Sequence, residues 1–415
     1  MRQLTLREFR PSETPVELTI EERDLLREVA PSITVSPAPG RADAYYLTPA
    51  SEVGVVRVGS LTIEIEPKLP IDRVLFLISY AIDRGRWGDL PAGLEEASLV
   101  DAVAPAFISH TRSAFRRGLL QGYRTEEDAL TTIRGRVRFD EQIRRRLGIF
   151  PPVEVRFDEF TEDIEPNRLI KAALAQLSRT PLRSSRVQRA LHSFGHLLER
   201  VQLVHYPRAA VPKITYNRLN EHYRPAVELA RLILSSSAFE LRHGKVEATT
   251  FLVDMNKVFE DFVVIALRDA LGLDEHTFPQ GTGHHDLRLD HDRHVRLRPD
   301  ISWWDGRQCV FVGDVKYKRV TVAGYHHPDL YQLLAYTIAA DLPGGILIYA
   351  QGERPEATYT VRHAGKTLDV VTLSLQGEPD GILHQIDAVA LRIRDLRRRG
   401  LAATRTSSFT PAQNA

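Results

Sequence analysis

In RPDISWWDGRQCVFVGDVKYK, residues 298–318, an aspartate and a lysine end an apolar run. Strand side chains alternate faces, so Val310, Val312, Asp314 and Lys316 point one way. Carrying an acid and an amine into a buried strand costs desolvation energy unless the charges are used. Asp300 follows Pro299 near the start of the preceding strand, and Asp305-Gly306 between the strands is a hairpin signal. Such a hairpin sets Asp300 beside Asp314, with Lys316 on the same face. Two carboxylates that close repel unless a cation lies between them, and hard oxygen donors suit Mg²⁺ or Mn²⁺. A lysine there holds and orients a water, or offsets charge in a phosphorane-like transition state. The set points to metal-assisted hydrolysis of an anionic substrate, with a phosphodiester the natural candidate.

Two helices supply further members. FLVDMNKVFEDFVVIALRDALG carries a helical apolar stripe, with Glu260 beside it and Asn256 one turn earlier. Glu260 is thus a third carboxylate for the metal. HPDLYQLLAYTIAADLP is a second helix on which Gln332 and Tyr336, four apart, share a face and can brace the lysine, a phosphate or a metal-bound water. Residues 281–297 are dense in His and Asp but lack a ligand spacing on a rigid element, so a solvated hairpin is expected. His326 and His327 follow the lysine strand and suit either a phosphate contact or a helix-opening loop. Trp303 and Trp304 take opposite faces, one inward and the other against DNA or over the hairpin. No Walker motif occurs, so the chain is not expected to hydrolyse GTP itself.

The elements that position these residues form three regions. Residues 1–92 read as a β-rich domain: LTIEIEP alternates, and TIEERDLLREVA is a helix opened by a Thr19–Glu22 capping box. Residues 93–245 read as mostly helical, with Pro105 in a long helix, and TTIRGRVRFDEQIRRRLG reads as a short strand and then a basic helix, where arginines 134, 136, 138 and 144–146 form a dense basic stretch. A solvated face is the commoner explanation of such a run, with a nucleic-acid or partner surface the alternative. Residues 246–404 follow the order helix, hairpin, helix, strand, as in an α/β sandwich whose last strand runs parallel to a central one. Residues 405–415 form a polar, disordered tail. Across 415 residues, 55 Lys and Arg balance 54 Asp and Glu, so any polyanion contact must be local. One cysteine, no long apolar span and no signal peptide give a cytoplasmic reading without a membrane partner.

Pro299-Asp300 followed by Asp314-Val315-Lys316 resembles the PD-(D/E)xK nuclease signature. Gln332 and Tyr336 resemble the QxxxY element of RecB-like members, and Glu260 matches the acid such enzymes carry on the preceding helix. IEPKLPIDRVLFLISYA, IRGRVRF, EPNRLIKAAL, YRPAVELARLIL and DMNKVFEDFV, in that order from about residue 55 to 350, resemble the McrC family. The resemblance implies an α/β PD-(D/E)xK nuclease domain at the C-terminus that cleaves double-stranded DNA with Mg²⁺ held by Glu260, Asp300 and Asp314. Lys316 would place the water, with Gln332 and Tyr336 in support. It also implies an N-terminal region, 1–92, that docks on and stimulates McrB, a hexameric AAA+ GTPase, in modified-cytosine restriction. Two rivals stand beside it: a non-cleaving activator of an AAA+ NTPase, and a free-standing RecB-like exonuclease.

Overall fold

Leu61, Ile63 and Ile65, alternating with Thr62, Glu64 and Glu66, bury one side of the strand Leu61–Glu66. The computed structural model describes residues 2–82, 98–147, 149–243, 246–320, 327–352 and 356–407. Leu61–Glu66 lies second in a five-stranded sheet ordered Arg2–Arg7, Leu61–Glu66, Glu52–Val58, Val246–Asp254, Ser237–His243. The first pair is parallel and the others antiparallel. Two strands thus come from residues 237–254, and the N-terminal sheet crosses the expected boundary between 245 and 246. Gly54 permits that pairing: its φ is +139°, and a Cβ there would meet the Phe251 carbonyl oxygen at 2.1 Å. Beside this sheet, the helix Ile20–Val29 begins at Thr19 with the expected capping box.

The middle region holds the helices Leu99–Ala114, with Pro105 inside it, Glu165–Arg179, Ser185–Leu197 and Arg224–Ser236. Within residues 122–161 the short strand Arg136–Val137 and the basic helix Phe139–Arg146 form as expected, whereas Gly122–Leu130 and Val153–Thr161 depart from the helical expectation. Gly122–Leu130 pairs antiparallel with Val153–Thr161, and Arg136–Val137 adds to the other edge. The helix Phe139–Arg146 follows Arg136–Val137 in the chain. Period-two charge alternation in VEVRFDEFT suits a strand exposed on one side, which a search for helical stripes passes over. The arginines here meet acids: Arg138 pairs with Glu127, Arg144 and Arg145 with Glu141, and Arg146 with Glu154.

The C-terminal sheet has the order Ile301–Asp305, Gln308–Val320, Gly344–Gly352, Thr367–Thr372, Ala357–Thr360. Gln308–Val320 pairs antiparallel with the first strand and parallel with Gly344–Gly352, the mixed arrangement expected. The helices Met255–Leu271 and Pro379–Ser407 cover the face carrying Val315 and Tyr317. The helix His327–Ala339 covers the other, against Val312, Leu347 and Tyr349. It approaches closely because Gly345 has no side chain; a Cβ there would meet Leu333 Cδ1 at 2.8 Å and the Val312 oxygen at 2.9 Å. Both tryptophans are buried, on opposite faces, so of the two alternatives for the second one the DNA contact falls away. Trp303 lies under Arg397 at 4.3 Å, and His285 stacks on Trp304 at 4.0 Å. The last helix continues to Ser407, past the start expected for the tail; residues 408–415 lie outside the described residues. Among the described residues no helix is long and apolar enough to cross a membrane.

One apolar cluster runs from the N-terminal sheet to the inner face of the C-terminal sheet. Phe76 and Tyr80 of the helix Ile71–Ile82 each meet Phe262 edge-on at 5.5 Å. Full burial of each such side chain contributes roughly 1.5–3 kcal/mol. A polar contact crosses the same seam. Buried Glu8 accepts from the Lys68 backbone N–H at 2.5 Å and from Tyr317 Oη at 3.0 Å, while Lys68 Nζ lies 3.6 Å from the centre of the Tyr317 ring.

Candidate active site

The Asp305-Gly306 turn forms as its sequence requires, with Gly306 at φ +58°. It returns the chain so that Ile301 pairs with Gly313, which sets Asp300 beside Asp314. Asp300 Oδ2 accepts the Val315 backbone N–H at 2.9 Å and lies 3.9 Å from Lys316 Nζ. Lys316 forms a tight ion pair with Asp314, whose side chain is 1% exposed. Three of the expected residues are therefore brought together.

Burial, and then the neighbouring Asp314, push the Asp300 carboxyl up to about 7. Burial also raises Asp314, against the pull of Lys316. For Lys316 burial disfavours the charge, but Asp314, together with Asp300 and Asp329, outweighs it and holds the ammonium above its ordinary range. Neither Asp314 oxygen has a hydrogen-bond partner of regular geometry. Two buried carboxyls facing each other, one of them with Lys316 as its counter-ion, form an oxygen pair that a hard divalent cation would fit.

Tyr336 and Gln332 meet each other as their spacing implies. Gln332 Nε2 donates to Tyr336 Oη at 2.6 Å, and Tyr336 Oη donates to the Arg298 carbonyl at 3.0 Å. The pair thereby ties its helix to the segment entering Pro299-Asp300. Burial raises the Tyr336 phenol, and Asp314 adds to the shift, so it remains a donor.

Glu260 is placed differently. Its helix, capped by Asp254 and ended by Gly272, packs on the Val315 face, whereas Asp314 and Lys316 project from the other. Glu260 contacts Lys257 Nζ at 3.4 Å and Gln280 Nε2 at 3.1 Å, and Asn256 donates to Ser51. Among the described residues no three His, Cys, Asp or Glu converge as a metal-ligand group, so Glu260, Asp300 and Asp314 are not gathered into one. The His-rich segment forms the expected hairpin, Leu287–Arg288 with Arg296–Leu297. His327 opens its helix, and His326 lies outside the described residues.

The family described as McrBC 5-methylcytosine restriction system component matches residues 47–350, most of the chain. The chain belongs to that McrBC family. Type IV methyl-directed restriction enzyme EcoKMcrBC of Escherichia coli (strain K12) is 23% identical over 353 residues, 77% of this McrBC chain and 96% of that protein. The half-complex from a tetradecameric assembly of Thermococcus gammatolerans McrB AAA+ hexamers with bound McrC matches at TM-score 0.53 and 17% identity. That match covers 93% of this chain and 100% of the other, and it establishes the fold.

Sequence reasoning missed a second polar group in this McrBC chain. Asp329, 5% exposed, accepts from Tyr349 Oη at 2.9 Å and meets Lys318 Nζ at 3.3 Å. Two signals were available: Lys318 continues the Asp314, Lys316 alternation, and Tyr349 closes the apolar run GGILIYA.

Proposed function

We propose that this chain is the metal-dependent DNA-cleaving subunit of a McrBC-like type IV restriction system and activates a McrB-like AAA+ GTPase hexamer. The observation that carries the reading is the buried Asp300–Asp314 pair with Lys316 against it. Mg²⁺, or Mn²⁺, held by Asp300 and Asp314 would supply Lewis acidity toward a phosphodiester oxygen. Lys316 orients the attacking water and offsets charge developing on the phosphorus oxygens. The Val315 N–H fixes one Asp300 oxygen, and the Gln332–Tyr336 pair holds the strand entrance in place. Glu260, held by Lys257 and Gln280 on the opposite face of the strand, stands apart from this pair. Placing two acids and an amine in a buried strand has a desolvation cost that chemistry at this point accounts for.

A protein partner is supported by the arm of residues 122–161. Tyr123, Ile133, Phe139, Ile143, Leu147 and Phe150 are all exposed there, a concentration of apolar surface that marks an interaction site. Among the described residues of 1–92, where docking was expected, the exposed large apolar residues are Phe9 and Ile20. The arm is therefore the better docking candidate. Modified-cytosine DNA as the substrate rests on the family's description.

The test is plasmid cleavage with Mg²⁺, with and without the AAA+ partner and GTP. Cutting that requires partner and nucleotide supports the restriction-complex reading. Cutting by the chain alone favours a free-standing nuclease. Stimulated GTP hydrolysis without any cutting leaves an activator subunit.

A further inference from the structure

Beyond Lys316 the catalytic strand carries Lys318 on the same face, and here the pairing with Gly344–Gly352 shifts register, between Lys316 and Arg319. Lys318 has 44% of its side chain exposed, whereas Asp329 beneath it has 7%. Asp329 Oδ1 and Oδ2 lie 3.3 and 3.4 Å from Lys318 Nζ, and Tyr349 Oη fixes Oδ2 at 2.9 Å. Tyr349 stands in register with Lys316 on the neighbouring strand. A buried carboxylate, anchored by a tyrosine, thus holds an accessible ammonium beside the Asp300–Asp314–Lys316 group.

We infer that Lys318 is a second phosphate-binding lysine, held ready by Asp329 and Tyr349 to take a DNA backbone phosphate next to the scissile one. The inference rests on the nuclease reading of the site. Same-face residues of a strand lie roughly 6.6 Å apart, and successive phosphates of one DNA strand advance about 3.4 Å along the helix axis. Lysines two residues apart therefore address different phosphates of the same strand. The ammonium sits at the mouth while its counter-ion is buried, so a phosphate approaches from solvent without displacing the tether. Asp329 and Tyr349 are positioning residues here, and Lys318 is the contact.

The test uses the full chain carrying Asp314→Asn, so that binding is read without cutting, and a short DNA duplex titrated across salt. Adding Lys318→Ala should flatten the log–log salt slope by about 0.9 and narrow the affinity gap roughly threefold between about 50 and 200 mM salt. Lys318→Arg should restore the slope because it keeps the cation. An unchanged slope in the alanine variant, whether or not its thermal unfolding moves, overturns the inference and leaves Lys318–Asp329 as a clip between helix and sheet. Absence of salt-dependent duplex binding overturns it as well. Cleavage by the chain with native Asp314 tests the nuclease reading separately: if cleavage fails, the slope can still be read, and if the slope is unmoved, cleavage stands.

Discussion

At the scale of residues, the proton on Asp300 is the controlling quantity. Burial and the adjacent Asp314 hold it up to about 7, against 3.8 for an unperturbed aspartate. In the metal-free chain the folded state then binds this proton more tightly than the unfolded state does. The contribution to stability is present below about pH 4 and is lost as pH rises through about 7. Asp300→Asn should flatten that decline, read by urea unfolding at about pH 5 and pH 8. A cation must displace the same proton, so Mg²⁺ affinity should fall roughly tenfold per pH unit below about 7. Calorimetric titration across this range checks it, and a pH-independent affinity would contradict the assignment. Asp314 and Lys316 were legible because alternation on one strand puts them together. Asp329 was not: its partners, Lys318 and Tyr349, lie on two different strands, and no local spacing links them.

Elements carry the next level of control. The strand Gln308–Val320 presents Asp314 and Lys316 on one side and Tyr317 on the other, where Glu8 receives the phenol at 3.0 Å. Glu8 is buried, and its second oxygen already lacks a partner. Tyr317→Phe would leave that carboxyl with the Lys68 N–H alone, and should lower stability by about 1–3 kcal/mol in denaturant unfolding. The hairpin, the capping box and the helix bearing Gln332 and Tyr336 could be read directly from turn chemistry and periodicity. The arm's two long strands, Gly122–Leu130 and Val153–Thr161, could not, because they alternate charge with a few apolar residues that stay exposed, and burial gives no cue. Its arginines left a solvated face and a nucleic-acid or partner surface open, and Glu127, Glu141 and Glu154 answer many of them. The arm's apolar residues are its distinctive feature. Phe139→Ser with Ile143→Ser should reduce stimulation of the AAA+ partner severalfold, measured as GTP turnover, without moving the chain's own melting transition.

For the whole molecule, the unit boundary drawn from local pattern gave way to pairing between distant segments. Val246–Asp254 completes a sheet begun by the first residues of the chain, and the helix Ile71–Ile82 packs on the helix that carries Glu260. No spacing rule reports contacts so far apart in sequence, whereas the first three strands of the C-terminal sheet, which follow one another in the chain, were readable in order. The shared core also fixes Glu260 on the face away from Asp314, which is why a helix acid correctly placed in sequence does not reach the pair directly.

The most direct measurement compares wild-type chain with Asp314→Asn in DNA cleavage, under whichever partner and nucleotide conditions support cutting by the wild type. We predict loss of at least about 10³-fold in cleavage rate, with folding and partner stimulation retained, because one of the two carboxyls proposed to hold the cation becomes neutral. Cleavage by Asp314→Asn at the wild-type rate would show that the chemistry resides elsewhere and would contradict the account.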